Sequence, residues 1–215
     1  MLKAVLLDFD GTLVNKDILD VVCGIVGKEQ ESEQLNQDFH SGKLPGLTAL
    51  ITRINFLKGV TLTQISNKLD ENAYLMPGAH ELFSYFKQHS IISIIHSGNL
   101  IPILEYYKTL LNADYIVGTH PKMNGDFILG ISEEDFPGKD FKVKGVINIL
   151  EELSINGKEA FAIGDSPADK AIFELAEKSI AIDPKGDIDK YADYVIKGSL
   201  QYAIPVIDEF LHEAH

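Results

Sequence analysis

Two carboxylates, Asp8 and Asp10, stand two residues apart where an apolar run, Ala4-Val5-Leu6-Leu7, stops and Gly11-Thr12 opens a turn. In an extended chain, residues two apart point the same way, so both acids can converge on one spot beyond the end of a strand. Ser97 follows a second apolar run, Ile91 to Ile95, and Asp165 and Asp169 follow a third, Ala160 to Ile163. If the three runs are parallel strands, their carboxyl ends share one sheet edge, the edge where open α/β sheets bind ligands. Each end also opens a loop or helix whose free backbone N–H groups favour an anion. The chemistry this favours is phosphate binding. An Asp-x-Asp by itself would read as a solvated acidic turn, and Ser97 by itself as a helix cap; the convergence carries the reading.

The elements that must position these groups are legible in the hydrophobic spacing. Lys16 to about Lys28 is amphipathic, the polar stretch Glu29 to His40 is helical, and Gly42-Lys43-Leu44-Pro45-Gly46 breaks it. Leu47 to Leu57 has helical spacing again, and Thr61 starts another helix, with Pro77-Gly78 closing the region. Residues 16–79 thus read as a small helical insert without strands. Strand and helix alternate afterwards: Glu81–His89, the second run, Leu100–Leu111, Tyr115–Val117, a hairpin around Asn124-Gly125, Phe141–Leu153, the third run, and two more strands. The fold class predicted is α/β, a doubly wound parallel sheet. Residues 1–15 and 80–215 form its core, and the insert forms a helical cap.

Composition narrows the partners. A formal charge of −13 argues against nucleic acid and against an anionic membrane surface. It also means that a phosphate site needs local positive charge, from a divalent cation and one or two lysines. The single cysteine, Cys23, excludes an internal disulfide and a cysteine-cluster zinc site. No run approaches transmembrane length and no signal-peptide core precedes Asp8, so a cytoplasmic location is expected. Arg53 is the only arginine. The histidines other than His96 have no ligand spacing and read as surface residues, and His96 as a packed or substrate-lining one.

The string Asp8-Phe9-Asp10-Gly11-Thr12-Leu13 resembles the first motif of the haloacid dehalogenase superfamily, and the resemblance continues in order through Ser97, Lys144, and Gly164-Asp165 to Asp169. It implies a phosphate-transferring enzyme that takes a small phosphorylated substrate, as a monomer or homodimer. Asp8 would be the nucleophile that forms an aspartyl-phosphate and Asp10 the general acid and base. Mg²⁺ would be the cofactor, held by Asp8, the Asp10 backbone carbonyl and Asp165. Gly11, Thr12, Ser97, Gly98 and Lys144 would bind the phosphoryl group, and Asp169 would orient Lys144 or a metal-bound water. Lys139 and Lys142 are rivals for the lysine role; Gly145 and the helical pattern favour Lys144.

An all-helical insert between the first two motifs most resembles the phosphoserine phosphatase-like branch, through Val14-Asn15, Gly42-Lys43-Leu44 and Arg53 to Lys58. That implies substrate contacts from Asp17, Arg53 and Asn99. The chain departs from the branch in having Asp17 for a glutamate, Pro45-Gly46 where a phenylalanine is expected, and Ala168 for an asparagine. Phosphoserine or a similar acidic phosphomonoester is the expected substrate. A phosphomutase or phosphotransferase, and a catalytically silent protein binding a phosphorylated ligand, are the alternatives.

Overall fold

The computed structural model describes residues 2–213, with side chains to residue 211, so Met1, 214–215 and the side chains of His212 and Glu213 lie outside the described residues. In chain order the elements are β1 (Ala4–Asp8), α1 (Ile18–Cys23), α2 (Glu29–His40), α3 (Gly46–Phe56), α4 (Leu62–Asp70) and α5 (Ala79–Gln88). They continue with β2 (Ile92–Leu100), α6 (Ile101–Leu111), β3 (Tyr115–Thr119), β4 (Lys122–Asn124), β5 (Phe127–Gly130) and α7 (Phe141–Glu152). The chain finishes with β6 (Ala160–Gly164), α8 (Lys170–Leu175), β7 (Lys178–Ile182), β8 (Tyr194–Ile196) and α9 (Ala203–Glu213). None of the described helices is long and apolar enough to cross a membrane.

Six strands form one parallel sheet in the order β3-β2-β1-β6-β7-β8. The chain leaves β1 in one direction through β2 and β3, then returns to its other side with β6. That reversal is the topological switch point, and it lies between the strands that carry Asp8 and Asp165. Alternation along β1 sorts its side chains. Val5 and Leu7 pack with α5, α6 and α9, whereas Ala4 and Leu6 pack with α7 and α8. Asp8, two residues beyond Leu6, therefore falls on the α7 side. β2 runs further than its apolar stretch suggests, through Ser97 to Leu100, because its pairing with β3 shifts register between His96 and Leu100.

Between β1 and β2 the chain is helical, with only isolated bridges among the described residues. Its two connections pair with each other, Asn15 N–H donating to the Tyr74 carbonyl at 2.9 Å and Met76 N–H to that of Leu13 at 2.8 Å. The Asn124-Gly125 hairpin forms as expected, β4 against β5. It also ties into the insert, since Gly59 N–H donates to the Ile128 carbonyl at 2.8 Å and Ile128 N–H to that of Val60 at 2.9 Å.

Arg53 is the knot of the insert. Its Nη2 donates to Asp17 at 2.5 Å and Asp20 at 2.8 Å, and its Nε to Ser32 at 2.9 Å, so one buried guanidinium links α1, α2 and α3. Asp17 also caps α1, accepting from Asp20 N–H. Removing one member of a buried charge pair leaves its partners uncompensated, which typically costs about 3–5 kcal/mol. Arg53→Ala should lower stability by about that amount in urea denaturation, and Arg53→Lys, which keeps charge without the fork, by less. An Arg53→Ala protein as stable as the parent would remove the knot from this account.

Candidate active site

Asp8 ends β1 in a fully enclosed position. Lys142 Nζ lies 3.4 Å from its Oδ1 and 3.8 Å from Asp169 Oδ1, and His96 Nδ1 lies 3.9 Å from Asp8 Oδ1. Burial and then the charge of Asp169 push the Asp8 carboxyl well above its usual range, and Lys142 opposes them. His96 is buried and pushed well below the usual histidine range by burial and by Lys142, so its ring is neutral. Asp165, at the end of β6, has its Oδ2 2.6 Å from Lys185 Nζ. Burial raises its pKa and Lys185 counters that. Asp169 turns Oδ2 back to accept from the N–H groups of Asp165 at 3.2 Å and Ser166 at 3.1 Å, which fixes the loop.

Asp10 points to the other side of the turn. It accepts from Ile18 N–H at 2.9 Å, Ser97 Oγ at 3.1 Å and Asn99 Nδ2 at 3.3 Å. Burial, with Asp17 next, pushes its pKa up to about 7 in spite of these bonds. A carboxyl poised there is able to give and take a proton near neutrality. Gly11 makes the approach of the two acidic loops possible. Its φ is +92°, and a Cβ would sit 2.3 Å from Asp165 Oδ2.

Four carboxylates, Asp8, Asp10, Asp165 and Asp169, meet here against two ammoniums, Lys142 and Lys185. Asp165 Oδ1 and Asp169 Oδ1 are buried without a hydrogen-bond partner. Excess charge and orphaned oxygens of this kind fit a hard divalent cation. Asp8, His96 and Asp169 also bring one donor atom each within 4.8 Å of one another. Lys142 reaches into that group, so the lysine already supplies its positive charge. A cavity of about 490 Å³ opens over the site; Asp10, Asp17, Arg53, Gly98, Asn99 and Lys142 all line it.

The structure thus brings together Asp8, Asp10, Ser97, Asn99, Asp165 and Asp169, with Asp17 and Arg53 on the cavity wall. It corrects the lysine. Lys144 is exposed, and Lys142 takes the place beside Asp8. The reason is helical periodicity: Lys142, Val146 and Leu150 are four apart and share the face packed on the sheet, whereas Lys144 is turned away. Gly145 answers to packing instead, since a Cβ there would lie 2.5 Å from Val117. The N–H groups expected to cradle phosphate at Gly11 and Thr12 are also engaged, donating to Val14 and Phe9 carbonyls at 2.9 and 3.2 Å. Thr12 Oγ1 is buried without a partner. Lys185, Asp20 and Ser32 escaped the sequence reading. Lys185 had a signal, standing just beyond β7, the fifth parallel strand, on the same sheet edge.

A switch-point pair of aspartates served by a lysine from the covering helix defines a class, and the sequence model of haloacid dehalogenase-like hydrolases matches residues 5–174. The chain belongs to that family. It is 27% identical over 205 residues to a probable phosphoserine phosphatase of Schizosaccharomyces pombe, covering 94% of this chain and 68% of that one. It is 25% identical over 196 residues to a phosphoserine phosphatase of Campylobacter jejuni subsp. doylei, covering 91% and 94%. The solved structure of a phospho-aspartyl intermediate analogue of phosphoserine phosphatase shares the fold, with a TM-score of 0.81 at 24% identity over 95% of this chain and 98% of that one.

The lysine assignment has a direct check. Lys142→Ala leaves Asp8 and Asp169 facing each other and should cost about 1–3 kcal/mol. Lys144→Ala should stay within about 0.5 kcal/mol of the parent, as an exposed substitution does. Urea midpoints measured side by side decide it, and equal losses would restore Lys144 as a candidate.

Proposed function

We propose that this chain is a Mg²⁺-dependent phosphomonoester hydrolase that works through an aspartyl-phosphate on Asp8. The observation that carries the reading is the division of labour between the two acids. Asp8 faces a lysine, while Asp10 accepts from neutral donors only, and burial, with Asp17 next, pushes its pKa up to about 7. One acid is arranged to be a nucleophile, the other to move protons.

In the first half-reaction an Asp8 oxygen attacks phosphorus as the bond to the leaving alcohol breaks, and Asp10 gives that alcohol its proton. In the second, Asp10 takes a proton from water as the water attacks the phosphoryl group and frees Asp8. Lys142 offsets charge on Asp8 and the phosphoryl oxygens. Asp8, the Asp10 carbonyl and Asp165 would hold Mg²⁺, which supplies further positive charge to the phosphoryl group. Ser97 and Asn99 keep Asp10 in register, and Asp169 keeps Lys142 there. The helical insert serves as a lid that excludes water from the intermediate.

The substrate is a small phosphorylated metabolite. Phosphoserine is the reference to try first, because the relatives carry that name and Asp17 and Arg53 line the cavity. Chelator should abolish phosphate release and Mg²⁺ restore it. Asp8→Asn should leave no phosphoenzyme after acid quench, and Asp10→Asn should slow both half-reactions by about 10²–10⁴-fold. Full activity in metal-free buffer, or a phosphoryl adduct mapped by mass spectrometry to Ser97, would overturn the reading.

A further inference from the structure

The cavity over Asp10 continues past its polar groups. Its wall combines Phe39 and Leu50 of the insert with Phe136 and Phe141, whose rings meet edge to face at 5.1 Å. At about 490 Å³ it lies in the range, roughly 300–1,000 Å³, of sites for ligands much larger than a three-carbon phosphate. Phe39 stands out on this wall. Phe39 is 42% exposed and its ring lies over Gly46, where a Cβ would be 2.7 Å from Phe39 Cε2. Gly46 opens α3 without a positive φ. The backbone does not require glycine at that place, and the ring as it lies leaves no room for a Cβ.

Lys139 also lines the cavity, but the guanidinium on this wall, Arg53, is already engaged. Asp17 accepts from Arg53 Nη2 at Oδ1 (2.5 Å) and from Asn36 Nδ2 at Oδ2 (2.9 Å), and Arg53 also donates to Asp20. A substrate carboxylate would have to displace Asp17 or Asp20 to use the fork of Arg53. An apolar arm would displace neither, and would cover a ring now facing water.

On the phosphomonoesterase reading above, we propose that the preferred substrate carries an apolar arm, alkyl or aromatic, on its alcohol carbon, and that Phe39 seated on Gly46 selects it. The test compares 2-phenylethyl phosphate with ethyl phosphate and phosphoserine in the presence of Mg²⁺. Both esters release a primary alkanol, so the ratio of their kcat/KM values reports the arm and not the chemistry. The ratio should be about 10 or more in the parent, as burial of a phenyl ring gives. It should fall to about 3 or less in Phe39→Ala, which removes part of that contact, and in Gly46→Ala, which displaces the ring. Phe39→Leu should recover part of it. A parental ratio near one, phosphoserine turned over faster than 2-phenylethyl phosphate, or a ratio unmoved in both variants would overturn the proposal. If no ester is hydrolysed, the phosphatase reading fails by itself. The arm is then judged from the Kd values of 2-phenylethylphosphonate and ethylphosphonate by calorimetry, where the same ratios support it and equal affinities overturn it.

Discussion

Carboxylates crowded at one sheet edge, with too few cations among them, set the terms for the rest of this molecule. Asp8, Asp10, Asp165 and Asp169 arrive there because β1 and β6 are neighbours across the switch point. Like charges at such spacing repel strongly in a poorly solvated site. The fold answers with Lys142 from α7, Lys185 from the loop after β7, and N–H groups turned onto Asp10 and Asp169. What remains unbalanced is the negative field that suits a divalent cation and, through it, a phosphoryl group. An overall charge of −13 makes that local arrangement more necessary.

The environment also separates the two acids of the first motif. They are neighbours in sequence, but the pleat sends Asp8 towards α7 and its lysine, while Asp10 lies past the strand among neutral donors. Two carboxyls of the same residue type are thus set apart by their surroundings, the condition for giving them different roles. The insert acts on the same pair from above. Ile18, the first residue of α1, gives its N–H to Asp10, so the start of the insert is bonded to the acid it covers. Arg53 then holds three helices of the insert over the cavity, and the β4–β5 hairpin braces them from the side.

Seen from its residues, the chain announced its parallel sheet because buried strands need unbroken apolar runs, and its helical insert because helix spacing ran without a strand from Lys16 to Pro77. Asp8, Asp10, Ser97, Asp165 and Asp169 were readable for a related reason. A polar residue placed directly at the end of a buried strand has one place to go, the edge that parallel topology fixes. Thr61 and the Asn124-Gly125 turn were local signals and behaved as such.

Other features depended on distance through space. Which lysine serves Asp8 depends on the rotation of α7 against the sheet, set by Val146, Leu150 and the close approach of Gly145 to Val117. Lys142 and Lys144 differ by two positions, more than half a helical turn, and local composition does not separate them. The sole arginine could be noticed in the sequence, but its pairing with Asp17 and Asp20 arises only when α1, α2 and α3 pack. Phe39 over Gly46 joins residues on two helices whose meeting no local pattern specifies. Short-range stereochemistry determined the elements and the acids at their ends; tertiary packing decided which charges meet, because pairing energies depend on separations of a few ångströms between residues far apart in the chain.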